Sequence, residues 1–220
     1  MRTMDPTRIV QQGYDDLDGT YRRWVEHTRP GYRSAFLTRI LGEVPDGADV
    51  LEIGCGPGTD VAALAAGRRY VGIDLSEVQL AHARAIVPSG RFLHGDVLDT
   101  TFPPASFDAV VSFYAFNHIP RERIELLFSR IRSWLRPGGR LFGSFGTSDN
   151  SGAVEPMWLG KADMYFSSLP VERTEAMLQG VGFGIEFAET VTEVEEGHGP
   201  ATFHWVIARK PVEEEVRRSS

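Results

Sequence analysis

A short apolar run that breaks into a glycine-rich loop narrows the choice of fold more than anything else in this sequence. Residues 50–53 predict a buried strand, and glycines follow at alternate positions, Gly54, Gly56 and Gly58. Glycine lets the backbone turn sharply there, and it lets a ligand lie against main-chain atoms with no Cβ in the way. The segment therefore predicts a strand followed by a binding loop.

An acidic residue closes the next apolar run. Residues 70–74 read Tyr-Val-Gly-Ile-Asp, which predicts a second strand that ends at Asp74. A carboxylate in that place can accept hydrogen bonds from both hydroxyls of a ribose, as it does in dinucleotide-binding folds. Strand, glycine loop, helix and carboxylate together predict a pocket for an adenosyl group.

The spacing of the glycines disfavours NAD as the occupant of that pocket. The dinucleotide fingerprint requires Gly-x-Gly-x-x-Gly, but its third glycine would fall on Thr59 or on Val61, depending on where the count begins. Asp60, near the predicted helix start, would also repel a pyrophosphate. A ligand that carries positively charged ammonium and sulfonium groups would not be repelled by Asp60.

Further motifs follow downstream in a regular order. Gly95-Asp96-Val97 follows a strand predicted at 91–94, residues 107–112 open a fourth strand, and residues 135–141 lead into a fifth. With the glycine loop, these motifs resemble the class I S-adenosylmethionine-dependent methyltransferases over roughly residues 45–146. The resemblance implies an α/β, Rossmann-like fold, a doubly wound and mostly parallel seven-stranded sheet in the order 3-2-1-4-5-7-6 with helices on both faces.

The family also implies an activity. We expect transfer of a methyl group from S-adenosylmethionine to an oxygen or nitrogen of a small-molecule acceptor, with S-adenosylhomocysteine as the second product. Two alternatives stay open, a methyltransferase acting on a protein side chain and an NAD(P)-dependent oxidoreductase with a Rossmann fold.

The chain divides into three parts on its local patterns. Residues 1–44 predict a helical arm or lid, broken at Pro30-Gly31, and residues 45–210 predict the cofactor-binding domain. Residues 147–168 are expected to be an insert on the substrate side, and residues 211–220 a flexible tail. Within the domain, helices are expected at 61–66, 77–87, 120–135 and 170–179, and the last two strands at 186–192 and 202–208.

The resemblance implies which residues hold the cofactor. Gly54, Gly56 and Gly58 line its methionine part, Asp74 binds the ribose hydroxyls, and Leu75 packs on the adenine ring. The plain alternative for Asp74 is a turn residue at a strand end.

More cofactor contacts are implied beyond the second strand. Asp96 accepts from the adenine amino group and Val97 offers its backbone N–H, although Asp96 also suits a helix cap or turn. The backbone at Phe113 meets the methionine amino group. Cys55 belongs to the cofactor loop, where we interpret it as a small filler between glycines rather than a nucleophile.

Four polar residues near the loop and the fourth strand remain candidates for the site. Glu52 or Asp60 can face the cofactor ammonium, and Asp60 suits equally a solvated acid at a helix start. Asn117 and His118 follow the fourth strand, where open α/β sheets bind ligands. Free imidazole titrates near neutrality, so His118 is a candidate general base, the alternative being that it packs on the cofactor or orients the next helix.

The predicted arm carries a second set of candidates. Tyr14 or Tyr21 is expected to lie near the cofactor carboxylate, and Arg22, Arg29 or Arg33 can bind a carboxylate, although exposed helical arginines are usually only solvated. In the insert, five apolar residues form either a substrate wall or a minor core. They are Met157, Trp158, Met164, Tyr165 and Phe166.

Composition limits the partners. The net charge of −7 gives no general attraction to nucleic acid, and the Asn/Asp-Pro-Pro-aromatic motif of base-amino methyltransferases is missing after the fourth strand. The single cysteine rules out an internal disulfide, and a metal site from His198 and His204 is not expected. Because no apolar run is long enough to cross a membrane and no signal peptide is apparent, we expect a cytoplasmic protein.

Overall fold

Buried apolar runs form the central strands of this protein, at residues 49–53 and 107–112. Its computed structural model describes residues 5–28, 31–195 and 199–212. The strands are β1 (Asp49–Ile53), β2 (Arg69–Asp74), β3 (Arg91–His94), β4 (Phe107–Ser112), β5 (Leu135–Gly146), β6 (Asn150–Trp158), β7 (Ala162–Ser168), β8 (Gly184–Glu195) and β9 (Gly199–Arg209). The helices are α1 (Pro6–Leu17), α2 (Gly19–Thr28), α3 (Gly31–Glu43), α4 (Val61–Ala65), α5 (Glu77–Ile86), α6 (Arg121–Trp134) and α7 (Val171–Gly180), and Ala115–His118 form a 3₁₀ turn.

Seven of the strands form one sheet in the order β3-β2-β1-β4-β5-β9-β8, and β6 pairs only with β7 in a separate two-stranded sheet. Counted within the large sheet alone, this is the predicted order 3-2-1-4-5-7-6. The pairs from β3 to β5 are parallel, whereas β9 is antiparallel to both of its neighbours. The predicted fold class is therefore confirmed.

The register of the parallel strands places four loops side by side. Ile53 pairs with Ile73, and Asp74 pairs with His94, so the glycine loop, the segment after β2 and the segment after β3 leave the sheet at one edge. The loop after β4 leaves at the same edge, because β4 lies parallel to β1. This edge is where open α/β sheets bind their ligands.

Apolar side chains form a core on each face of the large sheet and a third cluster at its carboxyl edge. The third cluster joins the arm to the β6–β7 hairpin, since Val10 and Leu17 of α1 pack with Trp158, Met164 and Tyr165. Burial of this surface, rather than a chain connection, holds α1 across the edge where the loops end.

Local signals set the ends of several helices. Asp5 caps α1, its carboxylate accepting from the backbone N–H of Thr7 at 3.2 Å, and Pro6 occupies the first turn. α1 ends at Leu17, and Asp18, whose φ of 41° lies in the left-handed region, separates it from α2. The described part of the arm therefore contains three helices, where the sequence predicts two pieces.

Two other segments differ from the prediction. The segment 147–168 contains β6 and β7, a hairpin that the sequence pattern did not indicate. β5 begins at Leu135 directly after α6, so it includes the Pro-Gly-Gly segment that was expected only to lead into the fifth strand, and its pairing with β4 has a register shift between Phe107 and Ala109. Most of the expected tail at 211–220 lies outside the described residues.

Across the part of the chain that the structure describes, no helix combines the length and the apolar character needed to cross a membrane.

We expect replacement of Gly58 by alanine to destabilise the fold because its backbone and its surroundings both exclude a Cβ. Its φ is 89°, and a Cβ would lie 2.9 Å from the Cα of Ala83 on α5. The left-handed conformation and the overlap together should lower the free energy of unfolding by about 2–4 kcal/mol. Urea denaturation measures this loss.

Gly47 is the matched control. Its φ is 78°, but nothing lies within 4 Å of a Cβ built there, so Gly47→Ala should cost only the backbone part, about 1–2 kcal/mol. If Gly58→Ala costs no more than Gly47→Ala, close packing against α5 is not what requires glycine at position 58.

Candidate functional site

A cavity lies at the carboxyl edge of the sheet, between the loops that follow β1 to β4 and helices α1 and α2. Its walls come from all four loops and from the arm, as the register of the strands requires. The lining residues are Val10, Tyr14, Tyr21, Ile53, Gly54, Gly56, Ile73, Asp74, Leu75, Gln79, Gly95, Asp96, Val97, Phe113, Tyr114, Ala115, His118 and Ile119.

Asp74 links the glycine loop to the segment after β2. One carboxylate oxygen accepts from the backbone N–H of Gly56 at 2.8 Å, and the other accepts from the N–H of Ser76 at 2.9 Å. Burial raises the pKa of Asp74, and these two N–H groups oppose that effect. A carboxylate has about four acceptor positions, so each oxygen keeps one for a ligand in the cavity.

Two of the loop glycines line the cavity and one does not. Gly54 has a φ of 69°, and a Cβ built there would lie 2.4 Å from the Cβ of Ala115 in the loop after β4. Gly56 also lies on the wall, at a φ of 53°. Gly58, expected to line the methionine part, instead packs on α5, away from the lining residues.

Cys55 also lies off the cavity wall. Its side chain is buried on the other side of the loop, where a Cβ built on Gly72 would come within 2.8 Å of both the Cys55 Sγ and the Tyr70 hydroxyl. Burial raises the pKa of the Cys55 thiol well above its ordinary value. This environment suits a small filler between glycines, and it does not favour a thiolate nucleophile.

The segment after β3 supplies the far wall. Asp96 and Val97 line the cavity, as Leu75 does from the segment after β2. One oxygen of Asp96 accepts from the backbone N–H of Leu98 at 2.8 Å, so the turn role that the sequence allowed is present. Its second oxygen accepts from the hydroxyl of Thr7 on α1 at 3.3 Å.

A buried ion pair and a buried carboxyl lie beneath the glycine loop. Arg33 of α3 donates to one oxygen of Asp60 from Nε at 2.8 Å, and from a second nitrogen at 2.5 Å. Asp60 is therefore not the solvated acid that its place at the start of α4 allows. Its partner Arg33 is engaged by a protein carboxylate instead of being free for a ligand.

Glu52 is the other buried acid. It accepts a hydrogen bond from the Tyr70 hydroxyl at 2.6 Å. Burial raises the pKa of Glu52 to about 8, the neighbouring Asp60 acts in the same direction, and the Tyr70 hydrogen bond opposes them. Neither Glu52 nor Asp60 belongs to the cavity wall, so they lie behind the loop rather than against a ligand.

His118 forms a polar pair with Tyr14 across the cavity. The His118 Nδ1 lies 2.8 Å from the carbonyl oxygen of Tyr165, and a carbonyl can only accept, so Nδ1 carries a proton. The Nε2 of the neutral ring then has a lone pair and accepts from the Tyr14 hydroxyl at 2.8 Å. The hydrogen bonds thus assign one tautomer, with the basic nitrogen toward Tyr14.

Of the candidate residues in the arm, the two tyrosines line the cavity and Arg22 does not. Tyr14 and Tyr21 both line the cavity, with ring centroids 4.8 Å apart. Arg22 lies on the exposed side of α2 and approaches Glu26 at 3.8 Å. Arg29 lies outside the described residues.

A second cavity adjoins the first. The two share Tyr14, Tyr21, Tyr114 and His118 as walls. The remaining residues around the second cavity are Asn117, Glu155, Trp158, Phe166, Glu195 and Phe203.

The apolar residues of the insert lie partly on a cavity wall and mostly in a minor core. Trp158 and Phe166 line the second cavity and also pack in the cluster under the arm, together with Met164 and Tyr165, and Met157 is 60% exposed. A minor core is therefore present, and the wall toward a substrate stays a prediction.

Gln79 and Tyr114 are among the lining residues that the sequence analysis did not single out. Gln79 is buried, and its amide donates to the carbonyl oxygens of Tyr14 at 2.9 Å and Asp18 at 3.2 Å, which ties α5 to the arm. Residues 76–79 have the form of a helix capping box, of which only the Ser76 half forms. Tyr114, with a φ of 63°, carries no local signal for this strained conformation.

His204 of the terminal hairpin lines neither cavity. His204 is buried and lies 3.0 Å from a carboxylate oxygen of Glu175, and His198 is outside the described residues. Within the described ranges, no group of three or more His, Cys, Asp or Glu is placed to hold a metal ion.

Known proteins resemble this chain in both sequence and fold. Residues 50–139 match the family described as a methyltransferase domain. A probable S-adenosylmethionine-dependent methyltransferase of Mycolicibacterium smegmatis is 38% identical over 94 residues, which is 42% of this chain and 36% of that protein. A trans-aconitate 2-methyltransferase of Variovorax paradoxus is 34% identical over 125 residues, 55% of this chain and 46% of that protein. The chain thus spans less than half the length of these two relatives.

A solved structure shows the same fold over nearly the whole chain. The 1,6-didemethyltoxoflavin-N1-methyltransferase of Burkholderia thailandensis, with bound 1,6-didemethyltoxoflavin and S-adenosylhomocysteine, has a TM-score of 0.71. The match covers 96% of this chain and 92% of that one at 21% identity. Similarity at this level of identity concerns the fold.

The buried Glu52 should make stability depend on pH. Below about pH 4.5 Glu52 is protonated in both the folded and the unfolded protein. As the pH rises to about 8, Glu52 ionises only in the unfolded chain, so the contribution of its protonated form to the stability of the fold is lost over that window. Glu52→Gln cannot ionise. We expect the variant to gain roughly 1 kcal/mol or more relative to wild type between pH 5 and pH 9.

Chemical denaturation at several pH values measures this gain. Glu125→Gln, on the exposed side of α6, is the control for loss of a carboxylate, and it should follow wild type at every pH. Parallel curves for wild type and Glu52→Gln would show that Glu52 is already ionised in the folded protein.

Proposed function

We propose that this chain is a class I S-adenosylmethionine-dependent methyltransferase that transfers a methyl group to an oxygen or nitrogen of a small-molecule acceptor. The observation that carries the proposal is the position of Asp74. Its carboxylate lies on the cavity wall, tied to the glycine loop, with one acceptor position left on each oxygen. Two ribose hydroxyls are the donors that this arrangement suits.

The residues around the cavity fit S-adenosylmethionine. We infer that Gly54 and Gly56 face its methionine part, with the backbone at Phe113 near the amino group. Leu75 and Val97 supply an apolar surface for adenine, and Asp96 an acceptor for its amino group, in exchange for the Thr7 hydroxyl. When bound, the cofactor supplies an electrophilic methyl group on a sulfonium.

The arm completes the site. Tyr14 and Tyr21 cover the cavity, and α1 is held by a hydrogen bond from the Ser76 hydroxyl to Asp15 at 2.5 Å as well as by the Gln79 amide. We infer that the arm acts as a lid, and that the hairpin within 147–168 forms the acceptor side. A closed lid excludes water and aligns the reacting groups, which is most of what methyl transfer requires from a protein.

We infer that His118 and Tyr14 remove the proton of the acceptor. The lone pair of Nε2 points to the Tyr14 hydroxyl, and Tyr14 lines both cavities. Tyr14 can therefore take a proton from an acceptor in the second cavity while it gives its own to Nε2. The hydrogen bond from Nδ1 to Tyr165 holds the ring in place and stabilises the imidazolium that forms.

The structure offers less support to the other functions. α4 has only five residues, and Asp60 with its buried carboxylate stands at its start, which disfavours the pyrophosphate of NAD(P). The arm and the hairpin both line the second cavity, which suits a small-molecule acceptor. The names of the relatives include an acid and a ring nitrogen as acceptors, so they support methyl transfer without choosing the atom.

Asp74→Asn should weaken binding of S-adenosylhomocysteine at least tenfold, because it removes the charge and one of the two acceptor oxygens that the ribose would use. Calorimetric titration of the purified protein measures this. Asp99→Asn, an exposed acid in the turn after β3 that does not line the cavity, should leave the affinity unchanged. Equal affinity in the Asp74→Asn protein would remove the ribose assignment.

NADH serves as the control ligand in the same titrations. Binding of NADH without S-adenosylhomocysteine would overturn the proposed function in favour of an oxidoreductase.

His118→Ala should lower kcat by about 10²–10⁴ and change the affinity for S-adenosylhomocysteine by less than about threefold, as expected for a general base. Steady-state kinetics with any accepted acceptor, combined with the titration, separates the two effects. If kcat and cofactor affinity fall together by the same factor, His118 packs on the cofactor instead of moving a proton.

A further inference from the structure

Gln79 of α5 lies between the first cavity and the arm. It is fully buried, and it lines the cavity. Its amide nitrogen donates to the carbonyl oxygens of Tyr14 at 2.9 Å and Asp18 at 3.2 Å. Because a carbonyl can only accept, these two bonds place the nitrogen on the side of the arm and use both of its hydrogens.

The other end of the same amide is a buried acceptor without a donor. Among the residues that the structure describes, none donates a hydrogen bond to Oε1 of Gln79. Oxygen and nitrogen cannot exchange places, since the oxygen would then oppose two carbonyl oxygens. With the arm open, water would satisfy this atom, so closing the arm without a donor at Oε1 is disfavoured by roughly 5- to 100-fold in the equilibrium constant.

Helix α1 gives a scale for positions along the cavity wall. The hydroxyl of Thr7 donates to Asp96 at 3.3 Å, and the carbonyl of Tyr14, seven residues later, accepts from Gln79. At 1.5 Å per residue, these two contacts lie about 10 Å apart along the helix. Asp96, the proposed acceptor for the adenine amino group, and Gln79 therefore meet the arm at well-separated places.

The proposed ribose ligand Asp74 is linked to Gln79 through one residue. The backbone N–H of Ser76 donates to Asp74 at 2.9 Å, and the Ser76 hydroxyl accepts from the backbone N–H of Gln79 at 3.1 Å. Gln79 thus belongs to the ribose side of the cavity wall. The donor that a bound cofactor brings to this side is a ribose hydroxyl.

We propose that Gln79 couples cofactor binding to closure of the arm, an inference that rests on the proposed function. Its Oε1 accepts a hydrogen bond from a ribose hydroxyl, while its Nε2 holds α1 at the carbonyls of Tyr14 and Asp18. A hydroxyl that faces both Asp74 and Gln79 can share its hydrogen between them in a three-centre bond. The cofactor then binds the closed form more tightly than the open form, so binding and closure favour each other by the same factor.

The coupling extends to the proposed proton-transfer pair. Tyr14 offers its carbonyl to Gln79 and its hydroxyl to His118. A ribose bound at Gln79 therefore also fixes the turn of α1 that holds Tyr14 against His118. Gln79 is a positioning residue for methyl transfer, since it acts through α1 and needs no contact with the acceptor.

Analogues that lack one hydroxyl test the contact. They are the 2′-deoxy and 3′-deoxy forms of S-adenosylhomocysteine, titrated calorimetrically, beside the parent compound, into wild type and Gln79→Met. Methionine has nearly the size of glutamine but no amide. For at least one analogue, we expect the loss of affinity relative to S-adenosylhomocysteine to be at least about fivefold larger in wild type than in Gln79→Met.

Gln179→Met is the matched control. It makes the same replacement at an exposed position on α7 that lines neither cavity, so it should follow wild type with all three ligands.

Hydrogen exchange of α1 measures closure in the wild-type protein itself, so this part of the test needs no variant to fold. With saturating S-adenosylhomocysteine, the amides of residues 6–17 should exchange at least about threefold more slowly than with a saturating amount of the analogue that loses affinity. In Gln79→Met the two ligands should give the same exchange within about twofold.

The outcomes separate this inference from the proposed function. If S-adenosylhomocysteine binds, but the analogues lose equal affinity in wild type and Gln79→Met, or the exchange of α1 in wild type does not depend on the hydroxyl, the coupling is overturned while the cofactor assignment stands. If Gln79→Met does not fold, the exchange in wild type decides alone. If S-adenosylhomocysteine does not bind to wild type, the proposed function fails first, and the coupling fails with it.

Discussion

The carboxylate of Asp74 ties together two of the four loops from which the cavity is built. The parallel pairing of β1 and β2 brings their ends side by side, but it does not position the loops that follow. Asp74 does so, because its oxygens accept from Gly56 in one loop and from Ser76 at the start of α5. Ser76 in turn donates to Asp15 of α1, so the same group of contacts reaches the arm.

Charged side chains are buried behind the glycine loop, so the loop is not supported by apolar packing alone. The Arg33–Asp60 pair lies between α3 and the start of α4, and removing one partner would leave an uncompensated charge in a buried place. Glu52 lies close enough for Asp60 to raise its pKa further. The interaction couples the third helix of the arm to the loop, whereas α1 and α2 contact the cavity directly.

Contacts between the arm and the β6–β7 hairpin link the walls of the two cavities. Tyr14 lines both cavities and donates to His118, and His118 is anchored to the backbone of β7 through Tyr165. Trp158 and Met164 of the hairpin pack against α1 in a single apolar cluster. Movement of α1 would therefore open the first cavity, free His118 from Tyr14 and loosen the wall of the second cavity at once.

Local patterns were enough to predict a parallel α/β sheet and most strand positions, because such a sheet repeats the same short signals along the chain, whereas the order of the strands was implied by the resemblance to a known family. The positions of Gly54, Gly56, Asp74, Asp96 and Val97 around one cavity follow from that order, although their roles toward a cofactor stay predictions.

Contacts between distant residues carry no such signal, and they arise only when the chain is folded. Tyr14 and His118 are separated by 104 positions, and Arg33 and Asp60 meet across two elements with no pattern that pairs them. Gly58 belongs to the same alternating glycine pattern as Gly54 and Gly56, but it packs against α5, and this contact is what requires a glycine there. Thus the sequence determined the sheet and the binding edge through short-range periodicity, and tertiary packing decided which side chains meet there, because burial and hydrogen bonding depend on what each element touches.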